Sequence, residues 1–87
     1  MPFPESERQL LLAGKGVGPT VLQRIEENGI HCLADLANQT AQALCYRIAA
    51  KLGATCWSNS PQARSAIAAA IEIAQSDVHN AGPHKSL

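Results

Sequence analysis

The chain of 87 residues has room for one domain, and its seven basic and seven acidic residues cancel, so no global field draws it to nucleic acid or an anionic membrane. At 46% hydrophobic and 16% charged it is too apolar for wholesale disorder. No run reaches the roughly 18 apolar residues of a membrane span, and the N-terminal MPFPESE has no basic segment leading into an apolar one, so the expectation is a folded cytosolic domain with no membrane partner. The 15 alanines, against a single Phe, Trp and Tyr, favour helix over strand, which predicts an all-α domain of about five short helices.

In chain order, residues 1–5 contain two prolines and read as a flexible N-terminus. Ser6 with Gln9 three positions later has the form of a capping box and opens a helix over 6–13. Gly14, Gly16 and Gly18 interrupt the pattern, and Pro19 suits the first turn of a second helix over 19–28, with Val21, Leu22 and Ile25 on one face. Asn28 and Gly29 stop it. Ile30, Leu33 and Leu36 support a short third helix over 32–38, where Cys32 stands at the place of a capping Ser or Thr. Thr40 caps a fourth helix in which Leu44, Ile48 and Leu52 recur every four residues, widened by Ala41, Cys45 and Ala49 and ended by Gly53. ATCWSNS reads as a loop. Ser60 and Pro61 then start a fifth helix over 61–75 that turns Ala63, Ile67, Ile71 and Ala74 inward. The domain is thus 6–75, and residues 76–87, polar and without periodicity, read as a flexible tail.

Little in this chain suggests catalysis. The seven carboxylates are scattered, and no spacing groups a nucleophile with a base and an orienting residue. Cys32, Cys45 and Cys56 are odd in number, with no CxxC or HxxxH pair, so neither a disulfide framework nor a zinc site is expected. Cys45 reads as a small buried hydrophobe, and Cys56 has no adjoining cation to activate it. The expectation is a non-enzymatic binding module without a cofactor.

The turn Lys15-Gly16-Val17-Gly18-Pro19 carries the main functional signal. Two glycines admit dihedrals closed to other residues, and successive N–H groups followed by the positive end of a helix make a place for a phosphate. Lys15 and Arg24 are the nearby cations. With about one or two phosphates neutralised, affinity would fall with salt at a slope of roughly −1 to −2.

The run LLAGKGVGPTVLQRIEENGIHCLADLA, residues 10–37, resembles a helix-hairpin-helix motif. In layout, residues 8–75 are similar to short bacterial proteins of that family described as pathogenicity-locus or mitomycin-resistance proteins. The resemblance implies weak, sequence-independent binding of the DNA sugar-phosphate backbone in a repair or stress context, with a monovalent cation held by hairpin carbonyls. It implies that Gly16 and Gly18 shape the hairpin, that Val17 plugs into the domain, and that the N–H groups of Gly16, Gly18 and Thr20 meet phosphate. Thr20 replaces a frequent Lys or Arg, Leu22 a frequent small Ala, and Lys15 a frequent proline. Arg47 and Lys51, four apart on helix four, with Arg64 on helix five, are a candidate second basic spot. The alternative function is a protein–protein adaptor using helices four and five and Trp57.

Overall fold

Small side chains at a four-residue interval decide how the last helix packs. In the computed structural model, which describes residues 3–53 and 60–81, this helix runs from Pro61 to Ala81 and buries Ala66, Ala70 and Ala74 together with Ile67 and Ile71. Alanines on one stripe let neighbouring helices come close, and this helix touches each of the other four. Those are α1 (Glu5–Leu12), α2 (Pro19–Glu27), α3 (Leu33–Ala37) and α4 (Ala41–Leu52), so the spine is α5, and no strand occurs among the described residues. The core between them holds Leu11, Leu22, Ile25, Leu33, Leu36, Leu44, Ile48 and Ile67, each essentially without exposed surface. The protein is a small all-α domain. Among the described residues no helix is long and apolar enough to cross a membrane.

Helix limits follow the local signals closely in the middle of the chain. The Thr40 hydroxyl accepts the Ala43 N–H at 3.2 Å and the Ser60 hydroxyl accepts the Ala63 N–H at 3.3 Å, each satisfying an amide that the first helical turn leaves open. Gly53 closes α4 at φ +70°, in the left-handed region.

Both chain ends differ from expectation. Phe3 is buried, and its N–H donates to Glu26 Oε2 at 3.0 Å, so Phe3 is anchored on α2 rather than loose. The Ser6–Gln9 capping box does not form. Helix α1 begins one residue earlier, after Pro4, and Gln9 Nε2 donates to Glu5 Oε2 at 2.6 Å, an i,i+4 pair within the helix. At the other end α5 continues six residues beyond Gln75, through residues assigned to a tail. Ser76 and Asp77 are polar because they lie on its outer side, and no helix breaker precedes Gly82 and Pro83. Cys56 and Trp57 lie outside the described residues.

Helix α3 starts on Cys32, whose side chain makes no capping bond. Its first amide is satisfied from a distance, Leu33 N–H donating to Glu7 Oε1 of α1 at 2.9 Å. Gly14, just after α1, packs tightly against α5. A Cβ there would collide with Ile73 Cδ1 of α5 and stand 3.1 Å from the Leu11 carbonyl oxygen and 3.2 Å from Val17 Cγ2.

Candidate nucleic-acid interface

The turn between α1 and α2 is built by one constrained glycine and one buried valine. Gly16 takes φ +83°, which costs other residues about 1–2 kcal/mol. That reversal directs Val17 into the core, where it is 5% exposed, while its N–H donates to the Gly14 carbonyl at 3.1 Å. Gly18 departs from the sequence expectation: its φ of −109° and ψ of 177° are extended backbone open to any residue. Its lack of a side chain matters instead for what surrounds it. Gly18 is the N-cap of α2, it has no side chain to bond the following amides, and a Cβ placed on Gly16 or Gly18 would meet nothing within 4 Å.

The first helical bond of α2 is from Leu22 N–H to the Gly18 carbonyl, at 3.2 Å, and Pro19 has no N–H. The N–H groups of Gly16, Gly18, Thr20 and Val21 have no acceptor among the described residues. By contrast α3, α4 and α5 each have an amide of the first turn bonded by a side chain, from Glu7, Thr40 and Ser60.

The charged residues sort differently from the sequence expectation. Lys15 is exposed beside the turn with no acidic partner among the described residues. Arg24 lies in the last turn of α2, at the far end from Gly18, and its guanidinium pairs with Glu27 at 3.1 Å. Arg47 reaches Gln39 Oε1 at 3.1 Å and the Asn28 carbonyl at 3.3 Å, tying α4 to the turn after α2. Lys51 is exposed in the last turn of α4. Arg64 does not join Arg47 and Lys51. It borders a hollow with Ala41 and Gln42, and at 100° per residue Gln42 lies roughly 140° around α4 from Arg47.

Arg64 instead belongs with the turn. A groove of about 620 Å³ runs between Lys15 and Gly16 on one side and Pro61, Gln62, Ser65 and Ala66 on the other. A second, of about 410 Å³, shares Pro61 and Ser65 with the first and continues to Arg64 and Gln42. This link is not legible in the sequence because it depends on how α5 crosses the turn. Placement of Arg64 near α4 is also felt by Cys45. Burial pushes that thiol above its usual value and the Arg64 charge pulls it back less strongly.

Neutral, buried Cys45 is expected to resist a disulfide reagent in the folded protein and to react when denaturant is added, while half-exposed Cys32 reacts first. Mapping of labelled peptides by mass spectrometry checks this. The raised folded value also sets a sign: the thiol's contribution is complete below its unfolded value of 9.0 and is lost as pH rises beyond it. Among the described residues no three of His, Cys, Asp and Glu are grouped to hold a metal ion. No family model, no curated protein and no solved structure matches the chain.

Proposed function

We propose that the protein is a non-enzymatic module that binds the sugar-phosphate backbone of DNA weakly and without sequence specificity, as helix-hairpin-helix proteins do, through the turn 15–21. One observation carries this reading. Helix α2 starts on a glycine, the amides of Gly16, Gly18, Thr20 and Val21 have no acceptor among the described residues, and Lys15 is exposed in the same turn. Amide donors at a helix N-terminus, where the dipole favours negative charge, suit a phosphate and read no base. A monovalent cation is compatible with the same turn: the Leu11, Gly14 and Gly18 carbonyls already accept backbone N–H groups, leaving those of Lys15, Gly16 and Val17. Neutral oxygens without a carboxylate favour a singly charged ion completed by water, and binding through the amides does not require it. With Arg24 engaged by Glu27, Lys15 is the main cation at the turn.

The test is an amide NMR titration with a short DNA at low and at physiological salt. Shifts confined to residues 16–21 that fade as salt rises are expected; silence there at low salt overturns the reading. Gly18→Asp separates binding from folding. Its carboxylate would cap α2 from within, raising stability by about 0.5 kcal/mol, and would occupy the amides and repel phosphate, abolishing binding. An adaptor function is the second reading, and its supporting observation is Tyr46, 72% exposed on α4.

A further inference from the structure

Tyr46 also closes a continuous surface that begins at the turn. The groove beside Lys15 meets the groove beside Arg64 at Pro61 and Ser65, and the latter meets a third hollow, lined by Thr40, Gln42, Ala43 and Tyr46, at Gln42. Gln42 and Tyr46 are one helical turn apart on the same face of α4. All seven acidic residues of the chain are described, and none lines any of the three hollows, whereas two cations without an acidic partner among the described residues, Lys15 and Arg64, do. In contrast, the hollow between α1 and the second half of α5 is bordered by Glu72 and Asp77. A neutral protein has therefore confined a carboxylate-free track to one side, with an exposed aromatic ring at its end.

From this juxtaposition we infer that the nucleic acid taken up is single-stranded: its phosphates lie along Lys15 and Arg64, and an unpaired base stacks on Tyr46. The inference rests on the phosphate-binding reading of the turn. A cationic groove with an aromatic platform is the combination that holds single strands, because every base offers a π-face and stacking needs no sequence. Bases paired within a duplex have no free face to offer, so the ring distinguishes the two forms.

The deciding experiment uses fluorescence anisotropy with a labelled thymidine strand of about twelve nucleotides, an abasic strand of equal length, and a duplex of equal length. Wild-type protein is expected to bind thymidine strand most tightly. Tyr46→Ala should weaken the thymidine strand about tenfold and leave the abasic strand unchanged, while Tyr46→Phe retains affinity for both. Lys15→Ala and Arg64→Ala should weaken both strands alike, each flattening the salt slope by about 0.7. If thymidine and abasic strands both bind but Tyr46→Ala affects them equally or not at all, base stacking is overturned while the phosphate reading survives. Tighter binding of the duplex overturns the single-strand assignment. If neither strand nor duplex binds at low salt, the phosphate reading itself falls. An unchanged strand affinity in Tyr46→Ala, joined to loss of a co-purifying protein, overturns the inference in favour of a protein-docking face.

Discussion

Ile67→Ala is expected to leave much of the protein unfolded at room temperature. Ile67 has no exposed surface and lies on α5, the helix that touches all the others. Removing three methyl or methylene carbons there loses their transfer free energy and opens a cavity that four converging helices cannot close by a simple shift. Such changes cost about 2–5 kcal/mol. A core of this size leaves roughly 3–5 kcal/mol of net stability, so the loss is comparable with the whole. Ile67→Val, which keeps the branched shape, should cost about 0.5–1.5 kcal/mol and stay folded. Glu72→Ala is the matched control on the same helix: Glu72 is exposed and makes no hydrogen bond or ion pair among the described residues, so its removal should fall within about 0.5 kcal/mol of wild type. Urea denaturation followed by far-UV circular dichroism measures all three. An Ile67→Ala midpoint indistinguishable from that of Glu72→Ala would mean that α5 does not organise the core.

What could be read in the sequence was local. Pro19 before an apolar face, Thr40 three residues ahead of Ala43, and Gly53 after Leu52 each act within one turn of chain, and α2 and α4 lie within a residue of where those signals put them. Most inward positions of α4 and α5 were legible for the same reason, since a stripe needs only helical spacing, but on α5 Ala63 is only half-buried while Ala66 and Ala70, outside the expected set, are buried. What failed were decisions taken across the fold at particular residues, although Val17 does enter the core as expected. A capping box would have the Gln9 side chain accept the Ser6 N–H, but the helix already starts at Glu5, and Gln9 Nε2 donates to the Glu5 carboxylate instead. Ser76 and Asp77 resemble a loop because they lie on the outer side of α5, which continues through them to Ala81. Phe3 looks loose beside two prolines until Glu26 of α2 takes its N–H.

The candidate site divides the same way. The turn was visible in its glycines and proline, and Gly16 takes the left-handed conformation for which glycine is suited. The cations were misgrouped because a helical wheel gives a direction and not a neighbour. Arg24 is committed to Glu27, Arg47 to Gln39 and Asn28, and Arg64 is brought toward Lys15 by the crossing of α5 over the turn. Tyr46 was readable as lying off the apolar stripe, since Leu44, Cys45 and Ile48 define that stripe and Tyr46 points away from it.

Glu7→Ala is expected to cost about 2 kcal/mol, more than a partly exposed carboxylate on a surface helix would ordinarily contribute. Helix α3 has five residues, too few to persist by its own hydrogen bonds. Its N-cap, Cys32, has the extended backbone of a capping residue but makes no side-chain bond, so Glu7 provides both an acceptor for the Leu33 N–H and negative charge at the positive end of the helix. A hydrogen bond to a charged group contributes about 1.5–3 kcal/mol. The loss would spread, because α3 supplies buried Leu33 and Leu36 to the seam with α5. Glu7→Gln keeps an acceptor oxygen and removes the charge, and should recover about half the loss. Cys32→Ser offers a local hydroxyl to an amide of the same turn, so it should stabilise the Glu7→Ala protein more than it stabilises wild type. Urea midpoints give the energies, and amide hydrogen exchange at Leu33 and Leu36 should quicken in Glu7→Ala before the slow-exchanging amides of α5 do. Exchange at α3 equal to wild type, with a midpoint matching Glu72→Ala, would show that α3 is held by its leucines alone.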